Sequence, residues 1–186
     1  MMANLMFFFG GLIIHDRENL LTDADLRRAA AVMEKGDIIL VGALRRLSSM
    51  VIGTPVTHAI LYVGYRTFVH SIPDGVVEAS LHQVFTEYDT IVVLRAKSSD
   101  YKKIGLATAS VVKEIGKPFD FEYKDDQAKF YCSELINYAY KEANISTCID
   151  STEKLIHPKR FINPCFDVIY TSHNIEIRDN EITLKH

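Results

Sequence analysis

The sequence predicts an α+β protein in which a largely antiparallel β-sheet packs against helices. Short apolar segments at Thr57–Val63, Arg66–Ser71, Val76–Ala79 and Ile91–Arg95 follow one another across connections too short for most parallel crossovers. Gly64-Tyr65 and Pro73-Asp74-Gly75 have the composition of tight turns between them. Two other segments carry apolar residues at helical spacing: Tyr101–Ile115, and the stretch that opens at Cys132 and continues through Leu135, Ile136, Ala139 and Ala143.

The remaining elements follow in chain order. Thr22-Asp-Ala-Asp25 has the form of a capping box and opens a helix to about Glu34. Gly36-Asp37 breaks it, and Ile38–Val41 reads as a buried strand. Ala43–Gly53 is mixed, with Arg45 and Arg46 beside Leu47, Met50 and Val51, and Pro55 ends it. Leu81–Tyr88 reads as a short helix. Tyr101–Ile115 takes Asp100 as its cap, buries Ile104, Leu106, Ala107, Val111, Val112 and Ile115, and stops at Gly116 and Pro118. An acidic loop, Asp120–Gln127, precedes the Cys132 helix, for which Asn144 supplies a stop. Ser151–His157 is a further helix candidate, Phe166–Tyr170 a final strand, and the tail from Ser172 an edge strand or a frayed end.

A chain of 186 residues with 48% hydrophobic and 24% charged residues is long enough for a real core and has an ordinary globular composition. One domain over residues 1–186 is expected, with 1–35 forming an apolar segment and a helix ahead of the core. A net charge of −3, without a basic cluster, argues against a nucleic-acid partner. Cys132, Cys148 and Cys165 are odd in number and widely spaced, with no C-x-x-C pair. That disfavours both a zinc ribbon and a disulfide framework and favours a reducing, cytoplasmic setting. The run MMANLMFFFGGLII is too short to span a bilayer and lacks the basic start and cleavage site of a secretory signal. Packing on the domain is the favoured fate of this run, with peripheral membrane or partner contact through residues 1–14 left open.

Three side chains carry the chemistry. Along Thr57–Val63, His58, Ile60 and Tyr62 share one face, while Thr57, Ala59, Leu61 and Val63 take the other. A histidine near the start of a buried strand needs a polar partner. If Gly64-Tyr65 is a hairpin tip, the ends furthest from it pair, which brings His70 to His58. Cys132 opens its helix, where the helix N-terminus is expected to lower the thiol pKa. A thiol and two imidazoles suffice for a nucleophile, a base and a group that orients the base. The plain alternatives are a buried structural cysteine, histidines bonded to backbone, or a His, His, Cys zinc site.

The order Gly36-Asp37-Ile-Ile-Leu, Thr57-His58-Ala-Ile, Phe68-Val69-His70-Ser71, Gly116-Lys-Pro118-Phe119 and Phe130-Tyr131-Cys132-Ser133-Glu134-Leu135 resembles the circularly permuted papain-like proteins. These are the YiiX/YebB-type branch of the NlpC superfamily, related to the lecithin:retinol acyltransferase group. The resemblance runs from about Gly36 to Tyr170 and implies a permuted papain-like core in which the histidine strand precedes the cysteine helix. It implies Cys132 as nucleophile, His58 as general base and His70 as the third polar residue, with Glu78 as the fallback. The family commonly has Tyr where this chain has Phe119, so a hydroxyl would come from Tyr62, Tyr123 or Tyr131, or be dispensed with.

The implied activity is thiolate attack on an amide, ester or thioester through an acyl-enzyme, by a hydrolase or acyltransferase that needs no cofactor. The amide of Cys132 is a natural oxyanion donor at the helix start. Substrates would be small-molecule, peptide (including peptidoglycan-type) or lipid-like. Tyr62, Phe119, Tyr131, Leu47 and Met50 are the candidate substrate-binding residues, with Leu44, Val51 and Ile52 beside the last two. A binding module of the same fold without turnover is the first rival.

Overall fold

The computed structural model describes residues 20–44, 54–97, 100–124, 127–150 and 152–185. Residues 1–14, Leu47, Met50, Val51 and Ile52, to which the sequence assigned membrane contact or pocket roles, lie outside them. Eight strands are present among the described residues: β1 (Ile38–Gly42), β2 (His58–Gly64), β3 (Thr67–Ile72), β4 (Gly75–Ser80), β5 (Thr90–Ala96), β6 (Phe166–Thr171), β7 (Ile175–Arg178) and β8 (Glu181–Leu184). The helices are α1 (Asp23–Val32), α2 (Leu81–Glu87), α3 (Tyr101–Lys113) and α4 (Cys132–Glu142), with a 3₁₀ turn at Pro158–Phe161.

Six strands form one sheet in the order β4-β3-β2-β1-β5-β6, and every neighbouring pair is antiparallel. β1, Ile-Ile-Leu-Val-Gly, is buried at all five positions because the sheet is covered on both faces. Alternation sorts its side chains. Ile38 and Leu40 join Ala59, Leu61, Val69, Val92 and Leu94 in a core closed by α3 and α4, through residues such as Val111, Leu135 and Ile136. Ile39 and Val41 join Ile60, Phe68, Ile91 and Val93 on the other face, closed by Ala29 of α1 and Val84 and Phe85 of α2. Successive Cβ atoms alternate, so the apolar run of β1 feeds both cores.

The Thr22–Asp25 capping box forms, and Asp25 does more than cap. Its buried carboxylate also accepts from Tyr170 Oη (2.7 Å), from the backbone N–H of His173 (3.0 Å) and from His173 Nδ1 (2.7 Å), tying α1 to the end of β6. Burial alone would raise this carboxyl, but hydrogen bonds from Thr22, Tyr170 and His173 outweigh it and hold it well below the usual carboxylate range. Gly75, at φ +109°, starts β4 against the strand-like approach to Phe119. A Cβ there would sit 2.5 Å from the Lys117 carbonyl oxygen, so this contact needs glycine.

Several sequence expectations are corrected. In α3, Ala107 and Val111 are buried, but Leu106 and Val112 are exposed, as is Ile115 just past its end. The helix touches its neighbours along a narrow stripe through Ile104, Ala107 and Val111, and Leu106 and Val112 lie off that stripe. Of the Ser151–His157 helix candidate, the described residues 152–157 form no helix; Asp150 accepts from Thr152 N–H and Tyr131 Oη from Ile156 N–H, holding an irregular loop before Pro158. The tail is a β7–β8 hairpin whose Ile175 and Ile182 enter the core. Cys148 and Cys165, 17 residues apart, form a disulfide. The reducing, cytoplasmic setting, which rested on three unpaired thiols, loses that support.

Candidate active site

The hairpin of β2 and β3 turns at Tyr65 and Arg66, both at positive φ, with Leu61 opposite Val69. One step further along this register His70 stands opposite Ile60, on the same face as His58. The result is direct contact: His58 Nε2 and His70 Nδ1 are 2.9 Å apart. His70 is buried, at 4% exposure, whereas His58 is half-buried. Burial lowers the His70 pKa from its ordinary 6.5 to about 4, so the ring is neutral at pH 7. One nitrogen of a neutral ring donates and the other accepts. A tautomer of His70 with its proton on Nε2 accepts at Nδ1 from His58 Nε2–H, which leaves the basic lone pair of His58 on Nδ1. Tyr88, 5% exposed, stacks on the other side of His58, with ring centroids 5.8 Å apart and planes 12° from parallel.

Cys132 opens α4, which packs on the opposite core. Its sulfur is reached by the backbone N–H of Ala59, the residue that follows His58, and lies 3.8 Å from Ser133 Oγ. The thiol thus rests against the start of β2. Burial pushes its pKa up, and the hydrogen bonds from Ala59, Ser133 and its own amide offset this only in part. This overturns the expectation of a thiol acidified by the helix end. At neutral pH the resting sulfur keeps its proton, so nucleophilic use requires a base.

Other contacts hold the helix start in place. Ser71 Oγ, buried on the face opposite to its neighbour His70, donates to the Phe130 carbonyl at 2.5 Å, two residues before Cys132. Glu134 Oε2 accepts from Tyr131 N–H (3.2 Å) within the first turn. Asp120, also buried, accepts from Glu122 N–H (2.9 Å) and Lys124 N–H (2.5 Å), shaping the loop that carries Tyr123. Tyr123 meets Tyr131 edge-on at 5.2 Å, and both phenols feel the Cys132 sulfur electrostatically.

The other candidates fall in different places. Glu78 pairs with Val69 and is exposed, so it belongs to the face away from His70 and does not meet His58. Phe119 is buried at 6% exposure against Phe121 and presents little surface to a substrate. Tyr62 packs on Phe68 near the hairpin tip, where its hydroxyl accepts from Arg66 N–H, at the end of β2 remote from His58. Tyr131 is largely buried, with its hydroxyl bonded to the Ile156 amide. Among the described residues no group of three or more His, Cys, Asp or Glu side chains is placed to hold a metal ion. The two imidazoles direct facing nitrogens at each other, so the zinc set considered from the sequence does not fit. Tyr88, Ser71 and Ser133 are the site residues that sequence reasoning missed. Tyr88 ends a short helix and reads only as an apolar residue, and no periodic signal links it to His58.

Comparison with known proteins agrees with this architecture. No curated protein matches the chain. The crystal structure of the metalloprotein YiiX from Escherichia coli O157:H7 superposes with a TM-score of 0.64 at 16% identity, covering 76% of this chain and 98% of that one. At that identity the likeness shows the fold. A family model described as permuted papain-like amidase enzyme, YaeF/YiiX, C92 family, matches residues 32–182. With the model spanning both the histidine hairpin and the cysteine helix, the chain belongs to the permuted papain-like amidase family of the YaeF/YiiX type.

Proposed function

We propose that this chain cleaves or transfers an acyl group at an amide, ester or thioester through a covalent intermediate on Cys132, with His58 as the base and His70 as its positioning residue. The observation that carries the reading is the 2.9 Å His58–His70 contact at the start of the same strand whose Ala59 amide holds the Cys132 sulfur. His58 is the first residue of β2, one position before the Ala59 whose amide reaches the Cys132 sulfur.

With Nε2 turned to His70, Nδ1 is the nitrogen through which His58 exchanges a proton with the thiol. As the sulfur bonds to the carbonyl carbon, the thiol proton passes to Nδ1 and the carbonyl oxygen becomes an oxyanion. The Cys132 amide at the start of α4 is the nearby donor for that oxygen. Collapse expels the amine, alcohol or thiol, which takes the proton from His58. Water, or an acceptor nucleophile, then attacks the thioester with His58 again as base and releases the acyl group. A raised thiol pKa suits this route, because proton transfer and attack occur together and no thiolate is stored.

Alkylation by iodoacetamide followed across pH, together with turnover of a panel of acyl amides, esters and thioesters, tests the reading. Wild-type protein should lose its turnover in Cys132→Ala, and His58→Ala should slow alkylation of Cys132 at neutral pH. Superimposable alkylation profiles for wild type and His58→Ala would overturn the assignment of the base. A binding module of the same fold would show intact ligand binding and no turnover at all.

A further inference from the structure

A groove of about 380 Å³ runs along the outer face of α4, with Tyr131, the residue before Cys132, in its lining. Tyr123 and Tyr131, the two rings next to Cys132, form its near wall, and Asn137 and Lys141 come from the next two turns of the helix. Asn137 is 6% exposed, and its Oδ1 accepts from the buried Thr147 hydroxyl at 2.7 Å. That bond fixes the amide and leaves Nδ2, with two N–H donors, for the groove. Three carboxylates also line it, and each is engaged within the chain: Glu134 by the Tyr131 amide, Asp150 by Thr152, and Glu153 by Arg160. Lys141, and Lys154 on the far wall, have no ion-pair partner among the described residues.

The geometry points to this groove as a substrate subsite for a peptide chain bearing a carboxylate, met by Asn137 Nδ2 and Lys141. The inference rests on the reading of Cys132 as nucleophile and names the class of substrate. An acyl chain laid here would strand the Asn137 donors and desolvate two ammonium groups without compensation. A peptide answers the donors with its carbonyl oxygens and the ammonium with its acid. Asn137 and Lys141 lie five and nine residues beyond Cys132, about 7 and 13 Å along the helix axis. An extended chain covers that distance in about two to four residues, so the acid belongs two to four residues from the bond that is cut.

Binding to Cys132→Ala protein separates this inference from the catalytic reading, because it needs no turnover. The probes are the blocked peptide acetyl-Ala-Ala-Ala-Glu-amide, its Gln counterpart, and lauroyl-glycine amide, each followed by NMR titration. The Glu peptide should bind about threefold more tightly than the Gln peptide at low ionic strength, the scale of one solvent-exposed charge pair. The preference should vanish in Lys141→Met and fade at high salt. Equal binding of the two peptides, a preference that survives Lys141→Met, or tighter binding of the lauroyl probe would each overturn it. Loss of turnover in Cys132→Ala with no Glu preference would leave the nucleophile standing and remove the subsite.

Discussion

His70 offers the most direct physical test, because its burial has a thermodynamic signature apart from activity. In the unfolded chain the imidazole takes up a proton near pH 6.5, whereas in the folded protein it does so only at about pH 4. Between those values the unfolded state binds more protons, so stability is complete above pH 6.5 and falls as the pH drops toward 4. At about 1.4 kcal/mol per pH unit between the two pKa values, the loss attributable to this residue is about 3 kcal/mol. His70→Asn places an amide close to the position of Nδ1 and removes the titration. Urea unfolding followed by far-UV circular dichroism at pH 7.5, 6, 5 and 4 should show the stability difference between wild type and variant shift by about 3 kcal/mol in favour of the variant as the pH falls. Titratable groups remote from residue 70 are common to both proteins and cancel. Parallel curves would refute the claim that His70 is held neutral. The activity of the pair follows the same logic: Asn retains an acceptor for His58 Nε2–H, so turnover should survive in part, whereas His70→Leu should cost on the order of a hundredfold.

Three further outcomes follow from contacts around the site. Tyr88→Leu removes the ring stacked on His58 and should lower kcat/KM by about tenfold, as for loss of one aromatic pair, while Tyr88→Phe stays near wild type; equal effects of the two substitutions would place the role elsewhere. Ser71→Ala removes one of the two donors to the Phe130 carbonyl, which keeps the Asp120 N–H, and should cost about 1 kcal/mol, seen as a melting temperature lower by roughly 2–4 °C. Opening the Cys148–Cys165 bridge releases a 17-residue loop, which on the chain-entropy model costs about 3 kcal/mol. A melting temperature unchanged by reductant or by Cys165→Ser would contradict that pairing.

The strands and most helices were legible because the signals that encode them are local. The period-2 run of β2, the unbroken apolar run of β1 and the Thr22–Asp25 and Asp100 caps each state a burial pattern within a few residues. The His58–His70 meeting was legible for the same reason, since hairpin geometry ties residues twelve positions apart to one another. The exposed apolar residues of α3 show the limit: helical spacing says that a face exists, not how wide a stripe the rest of the molecule covers.

By itself the sequence determined the antiparallel hairpin order, the face on which each histidine stands and the position of Cys132 at a helix start. Only the tertiary structure decided which way the thiol pKa moves, because burial of the sulfur outweighs the local pull of the helix end. It also decided the disulfide, the Tyr88 stack, the 59-residue reach from Ser71 to Phe130, and the Asn137 groove. Each of these depends on which surfaces long chain excursions bring together, and Coulomb and desolvation terms follow those distances rather than the spacing of residues along the chain.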